Sequence, residues 1–155
     1  TVSSWLQTLE SFYYCFPVRP YFKNIPRSLR KESKYYLWDW SEVENEGQRF
    51  ENMVASHLLK FCDFYYHVFG IKTKLWYIRD RERREVDFLV TWGEAPWFLV
   101  ECKLKKEHSQ ALTYFGDRLK ITQKYLVTLD NKFHYLDKKT GIHVIPAAIF
   151  LNALV

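Results

Sequence analysis

Residues 84–106 read REVDFLVTWGEAPWFLVECKLKK, two apolar strand-like runs that carry charge where a core strand is normally oily. Asp87 opens the first run, and Glu101 with Lys103 interrupts the end of the second. In a strand, residues two apart share a face. Glu101 and Lys103 therefore point one way, with Val100 and Cys102 opposite. Glu85 and Asp87 likewise share a face, with Val86, Phe88 and Val90 on the other. A hairpin joining 85–92 to 97–104 sets Asp87 beside Glu101. Two neighbouring carboxylates repel, and burying either is costly without a compensating cation or hydrogen bonds. A hard divalent cation with oxygen ligands, such as Mg²⁺, is the natural compensation.

Glu51 supplies a third acid. It lies on the line Glu51, Val54, Ala55, Leu58 and Cys62 of a helical pattern, at the edge of the face that packs on a sheet. Taken alone, it reads as a helix-start carboxylate favoured by the dipole. The triplet Glu-x-Lys is uninformative by itself, because Glu32-Ser33-Lys34, Asp130-Asn131-Lys132 and Asp137-Lys138-Lys139 also fit (D/E)-x-K. Those three sit in polar surroundings and read as solvated charges. Glu101-Cys102-Lys103 differs in following Trp97-Phe98-Leu99-Val100 without a break.

These residues need elements to hold them, and the pattern supplies them. Residues 2–10 read as a short helix, 12–18 and 34–40 as aromatic strands, and 41–47 as an acidic turn. The 47–69 stretch is helical, with Phe50, Val54, Leu58, Phe61 and Cys62 as its stripe. Strands follow at 75–80, 85–92 and 97–104, with DRERRE and GEAP as turns. A helix spans 108–120 with Leu112, Phe115 and Leu119 inward. Further strands lie at 123–130, 133–137 and 141–147, before the closing AAIFLNALV. From residue 45 the order is α-β-β-β-α-β, a mixed-sheet α/β or α+β layout.

The set Glu51, Asp87, Glu101 and Lys103, on this order of elements, resembles the PD-(D/E)XK nuclease superfamily. Its restriction-endonuclease-like core is α-β-β-β-α-β, and Val86 stands where the name-giving Pro would be. Gln110-Ala111-Leu112-Thr113-Tyr114 looks like the Q-x-x-x-Y motif of the RecB-like branch. Over most of the chain, SKYYLWDW, GQRFENMVASHLL, LWYIRDRERREVDFLV and FLVECKL resemble the C-terminal nuclease-like module of prokaryotic AAA+ ATPases of uncharacterised function.

The resemblance implies that residues 1–40 end a winged helix and that 41–155 form the nuclease-like domain. No G-x-x-x-x-G-K-[ST] occurs in the chain, so the implied ATPase partner is a domain upstream of Thr1. It also implies that Asp87, Glu101 and the Cys102 carbonyl bind Mg²⁺ or Mn²⁺, with Glu51 in the outer shell or on a second ion. The ion would polarise a DNA phosphodiester and acidify an attacking water. Lys103 would orient that water or offset charge on the phosphate, with Gln110 and Tyr114 positioning from the helix. Glu85 is a further ligand or, beside Arg83-Arg84, a surface ion pair.

Composition sets the limits of these expectations. Hydrophobic residues make up 48% of the 155 and aromatics 19%, enough for a substantial core, and low Gly and Pro argue against disorder. The net charge of +5 leans mildly toward polyanions. Arg79, Arg81, Arg83, Arg84, Lys105 and Lys106 flank the site and are the expected DNA contacts, with a second basic group at Lys23, Arg27, Arg30, Lys31 and Lys34. Cys15, Cys62 and Cys102 are odd in number and dispersed, which fits reduced thiols in the cytoplasm. No metal-ligand spacing links the five histidines. The aromatic run 61–69 suits a core or an oligomer contact, and no apolar run approaches membrane-spanning length. Two other readings stand beside the nuclease. One is an idle nuclease fold that binds DNA or protein, and the other is an interaction domain whose acids pair with RDRERR.

Overall fold

The computed structural model describes residues 1–21 and 32–154. Eight strands form one mixed sheet, flanked by helices on both faces. In chain order the elements are α1 (Val2–Ser11), β1 (Cys15–Pro20), β2 (Lys34–Leu37), α2 (Glu46–Phe69), β3 (Thr73–Arg79), β4 (Glu85–Trp92), β5 (Ala95–Lys103), α3 (Gln110–Leu119), β6 (Gln123–Thr128), β7 (Tyr135–Asp137), β8 (Ile142–Pro146) and α4 (Ala147–Asn152). The strand order is β2-β1-β3-β4-β5-β6-β8-β7. β3, β4 and β5 are antiparallel neighbours, whereas β5, β6 and β8 run parallel to one another. The expected mixed α+β class holds.

Local chemistry explains the elements that matter for the site. The side chain of Asn45 accepts the Gln48 N–H and starts α2, and Gly70 ends it at φ +68°, a conformation open to glycine. The predicted stripe Phe50, Val54, Leu58, Phe61 and Cys62 is buried against the sheet. Phe88, Val90, Phe98 and Val100 meet it from β4 and β5, and Phe150 joins from α4. On the other face, Leu112 and Phe115 of α3 pack on Val86, Leu89, Leu99, Leu126 and Val144.

That division of core residues corrects the simple alternation expected for β4. Val86 faces α3, while Phe88 and Val90 face α2. The register explains it: Trp76 pairs with Leu89 and Ile78 with Val86, so Tyr77 alone stands opposite Asp87 and Phe88. This is a bulge, with one extra residue in β4. It falls on the candidate ligand Asp87.

The segment expected to end a winged helix is joined to the same unit. β1 pairs parallel with β3 through Arg19↔Trp76 and Pro20↔Tyr77, and Phe16, Val18 and Tyr36 share the α2-side core. The boundary expected at 41–47 falls inside this sheet-and-helix arrangement. Asn52, buried on α2, ties it to the end of β2: its Oδ1 accepts the Leu37 N–H at 2.9 Å and its Nδ2 donates to the Leu37 carbonyl at 2.8 Å. Asn52→Ala strands both backbone groups in a buried setting. It should cost about 2–4 kcal/mol in urea unfolding.

Two smaller differences concern ends. β5 starts at Ala95, two residues earlier than expected, because Trp92 pairs with Ala95 across a turn at Gly93-Glu94. AAIFLNALV, given no element by its pattern, contributes the helix α4, whose Ala147 and Phe150 are buried. The three cysteines are free thiols. Among the described residues, no helix is long and apolar enough to cross a membrane.

Candidate functional site

A lysine stands where three carboxylates converge. Lys34 Nζ on β2 lies 2.6 Å from Glu85 Oε1, 3.1 Å from Glu51 Oε1 and 4.0 Å from Asp87 Oδ1. Glu51 is placed by the second turn of α2, and it also accepts the Tyr36 hydroxyl at 2.6 Å. Glu85 begins β4 and is shared with Arg79 at 3.0 Å. Asp87 sits in the bulge, and its Oδ2 accepts the Cys102 N–H at 2.8 Å.

Burial and charge set the protonation of this group. Burial, then the charge of Glu51, raises the Asp87 carboxyl from its ordinary 3.8 to about 7, against the Cys102 hydrogen bond and Lys34. For Lys34, burial works against the ammonium, but Glu51, Glu85 and Asp87 outweigh it and raise its value. Burial and then Glu51 hold the Tyr36 phenol far above its usual range, so it stays a hydrogen-bond donor.

Glu101 and Lys103 form a second group at the start of α3. Glu101 is 8% exposed and is held by the Ser109 hydroxyl and by Lys103 Nζ at 3.3 Å. Ser109 also caps α3 by accepting the Leu112 N–H. Lys103 reaches Glu107 at 3.7 Å as well. Burial opposes its charge, yet Glu101 outweighs that and raises the ammonium above its ordinary value.

The structure therefore brings Glu51 and Asp87 together on Lys34, and Glu101 and Lys103 together on Ser109. The two groups act on one another, since the charge of Glu101 reaches Asp87 and that of Asp87 reaches Lys103. The Phe88↔Val100 register, continued by one pair, does set Asp87 opposite Glu101. Asp87 also comes within 4.0 Å of Lys34. What links the two groups is the backbone of Cys102, bonded to Asp87 and next in chain to Glu101.

Gln110 is exposed at the start of α3. Tyr114 organises arginines: the Arg84 guanidinium lies 3.7 Å from its ring centroid, and Arg118 Nη1 donates to its hydroxyl at 2.7 Å. Arg84 is also paired with Asp80 and Glu82. Lys106 Nζ lies 4.9 Å from the ring centroids of both Phe133 and Tyr135. Arg81, Arg83 and Lys105 are exposed. Lys23, Arg27, Arg30 and Lys31 lie outside the described residues.

Two expectations are corrected here. Lys34, read both as a solvated decoy and as a DNA-contacting loop residue, is half-buried in the acidic cluster. Glu85 pairs with Lys34 and Arg79 rather than with Arg83 or Arg84. The side chains missed by sequence reasoning are Lys34, Tyr36 and Ser109. Their signals were a Lys-x-Tyr pair at strand spacing, and a serine directly before an apolar helix.

Among the described residues, no three acidic, His or Cys side chains are spaced to hold an ion in this arrangement. The chemistry of the set nonetheless fits a hard divalent cation. Its donors are carboxylate oxygens, one of them on a carboxyl whose ionisation burial and Glu51 disfavour.

Fold and site together define a mixed α+β protein with a lysine-centred carboxylate cluster at one side of its central sheet. The chain belongs to the family described as a domain of unknown function, DUF4143, which matches residues 46–150. Lys34 and Tyr36 precede the matched span. No curated protein and no solved structure matches the chain.

Proposed function

We propose that this chain is a divalent-metal-dependent nuclease of the PD-(D/E)XK type, hydrolysing DNA phosphodiester bonds as part of a larger AAA+ ATPase. The observation that carries the reading is Asp87: a half-buried carboxyl in a β-bulge, pushed up to about 7 and accepting the backbone N–H of Cys102 in Glu101-Cys102-Lys103. The succession α2-β3-β4-β5-α3-β6, with β5 and β6 parallel, supports a restriction-endonuclease-like core. α1 and the β1–β2 pair are the corresponding remnant of a winged helix.

Asp87, Glu101, Glu51 and the Cys102 carbonyl would hold Mg²⁺ or Mn²⁺. When bound, such an ion supplies Lewis-acid polarisation of the phosphodiester and a more acidic water. Lys103, kept protonated by Glu101, offsets negative charge on the phosphate. Tyr114 holds Arg84 and Arg118 together, and exposed Arg81, Arg83 and Lys105 contact the DNA backbone.

One observation favours a second reading, an idle nuclease fold that binds DNA or protein. Glu101 is already engaged by Ser109 and Lys103. Incubating supercoiled and branched DNA with Mg²⁺ or Mn²⁺ separates the two. Nicking that needs the metal and vanishes in Asp87→Ala and Lys103→Ala supports the nuclease. Binding without cleavage, unchanged in both variants, supports the idle module. Loss of both metal and DNA binding in the wild type leaves only an interaction domain.

A further inference from the structure

The carboxylate cluster already contains a cation. Lys34 Nζ directs hydrogen-bond-length contacts at Glu85 and Glu51, and Asp87 lies on its third side at 4.0 Å. The ring of Tyr77, with its centroid 5.4 Å away, offers its face to the same ammonium. The Tyr77 hydroxyl donates to the Glu32 carbonyl at 2.7 Å, pinning the chain just before Lys34. Antiparallel pairing of Val18 with Lys34 fixes its backbone from the other side. The ammonium is thus delivered to the cluster by β2 and does not reach it by chance from a mobile surface.

We infer that Lys34 is the resident cation of this cluster, and that a divalent ion engages Glu51 and Asp87 only by displacing its ammonium. The inference rests on the metal-dependent reading above and goes beyond it. Two cationic centres cannot share the same few carboxylate oxygens without strong repulsion at these separations. Lysine suits such exchange, because its compact charge sits on a flexible four-carbon stem. Free protein then binds divalent ions weakly, and metal entry is coupled to movement of one named side chain. Arg79, paired to Glu85 at 3.0 Å, stays behind to hold that acid.

Mn²⁺ binding to the chain, followed by titration calorimetry and by the EPR signal of free Mn²⁺, tests this. Lys34→Met should bind Mn²⁺ at least ten-fold tighter than wild type, while Lys34→Arg, which keeps a cation, should not. A measurement on the wild type covers the case in which Lys34→Met fails to fold. Acetylation of Lys34, read by peptide mass spectrometry, should be slow in EDTA and at least ten-fold faster in saturating Mn²⁺. Equal or weaker Mn²⁺ binding by folded Lys34→Met overturns the inference, as does unchanged Lys34 labelling while Mn²⁺ is bound. In either case the metal-dependent reading survives. Absence of Mn²⁺ binding in both wild type and Lys34→Met removes that reading and the inference together.

Discussion

Lys103→Ala should slow metal-dependent DNA cleavage by about 10²–10³-fold under single-turnover conditions, the usual effect of removing one preorganised electrostatic contact. Mn²⁺ affinity should change little, and the melting temperature should fall by a few degrees because buried Glu101 loses its cation. Lys103 Nζ is partly exposed, with Glu101 at 3.3 Å and Glu107 at 3.7 Å, and its removal takes the cation from the buried Glu101 carboxylate while Ser109 stays bonded to it. Its ammonium is raised above the ordinary lysine value, net of burial, by Glu101. It therefore stays charged at neutral pH and acts as a cation, not as a proton-abstracting base. Two consequences distinguish that role. Lys103→Gln should lose as much rate as Lys103→Ala, and the pH–rate profile between 6 and 9 should show no lysine ionisation. A variant that cuts at the wild-type rate would remove Lys103 from the chemistry.

Asp87→Asn should stabilise the metal-free protein at pH 8 and leave it nearly unchanged at pH 5, while removing cleavage. The sign follows from the raised carboxyl. In the fold Asp87 holds its proton up to about pH 7, whereas in the unfolded chain it releases it near 3.8. Between those values the native state binds more protons than the unfolded state, so stability falls as pH rises through that window. Above about pH 7 the penalty is complete, roughly 4 kcal/mol as an upper bound. Asparagine keeps an oxygen for the Cys102 N–H and carries no charge to bury. Lys34, whose value is raised, keeps its contribution throughout this window, since that is lost only at more alkaline pH. For a chain of this size the gain at pH 8 corresponds to about 5–10 °C in melting temperature, measured in EDTA. A melting difference that does not vary with pH would sink the raised carboxyl at Asp87.

The order of elements and much of the core were legible in the chain because helix stripes and strand alternation are local properties. Phe50, Val54, Leu58 and Cys62 repeat at helical spacing and are buried as that spacing requires. That Asp87 and Glu101 lie on paired strands was legible from the hairpin, but their pairing was not, because the register shifts by one residue between Val90 and Thr91. The β4 bulge was not, since it arises from pairing with β3 through Tyr77. Lys34 was read from its neighbours Glu32 and Ser33 as a solvated charge. Its real partners are Glu51, 17 residues away, and Glu85 and Asp87 on another strand. Sequence by itself determined the order of elements and the strands that hold Asp87 and Glu101, because residue type and local period are written in it. Only the tertiary structure decided which cation the carboxylate cluster faces, because that depends on β2, from the first forty residues, packing against α2 so that Lys34 reaches Glu51, Glu85 and Asp87.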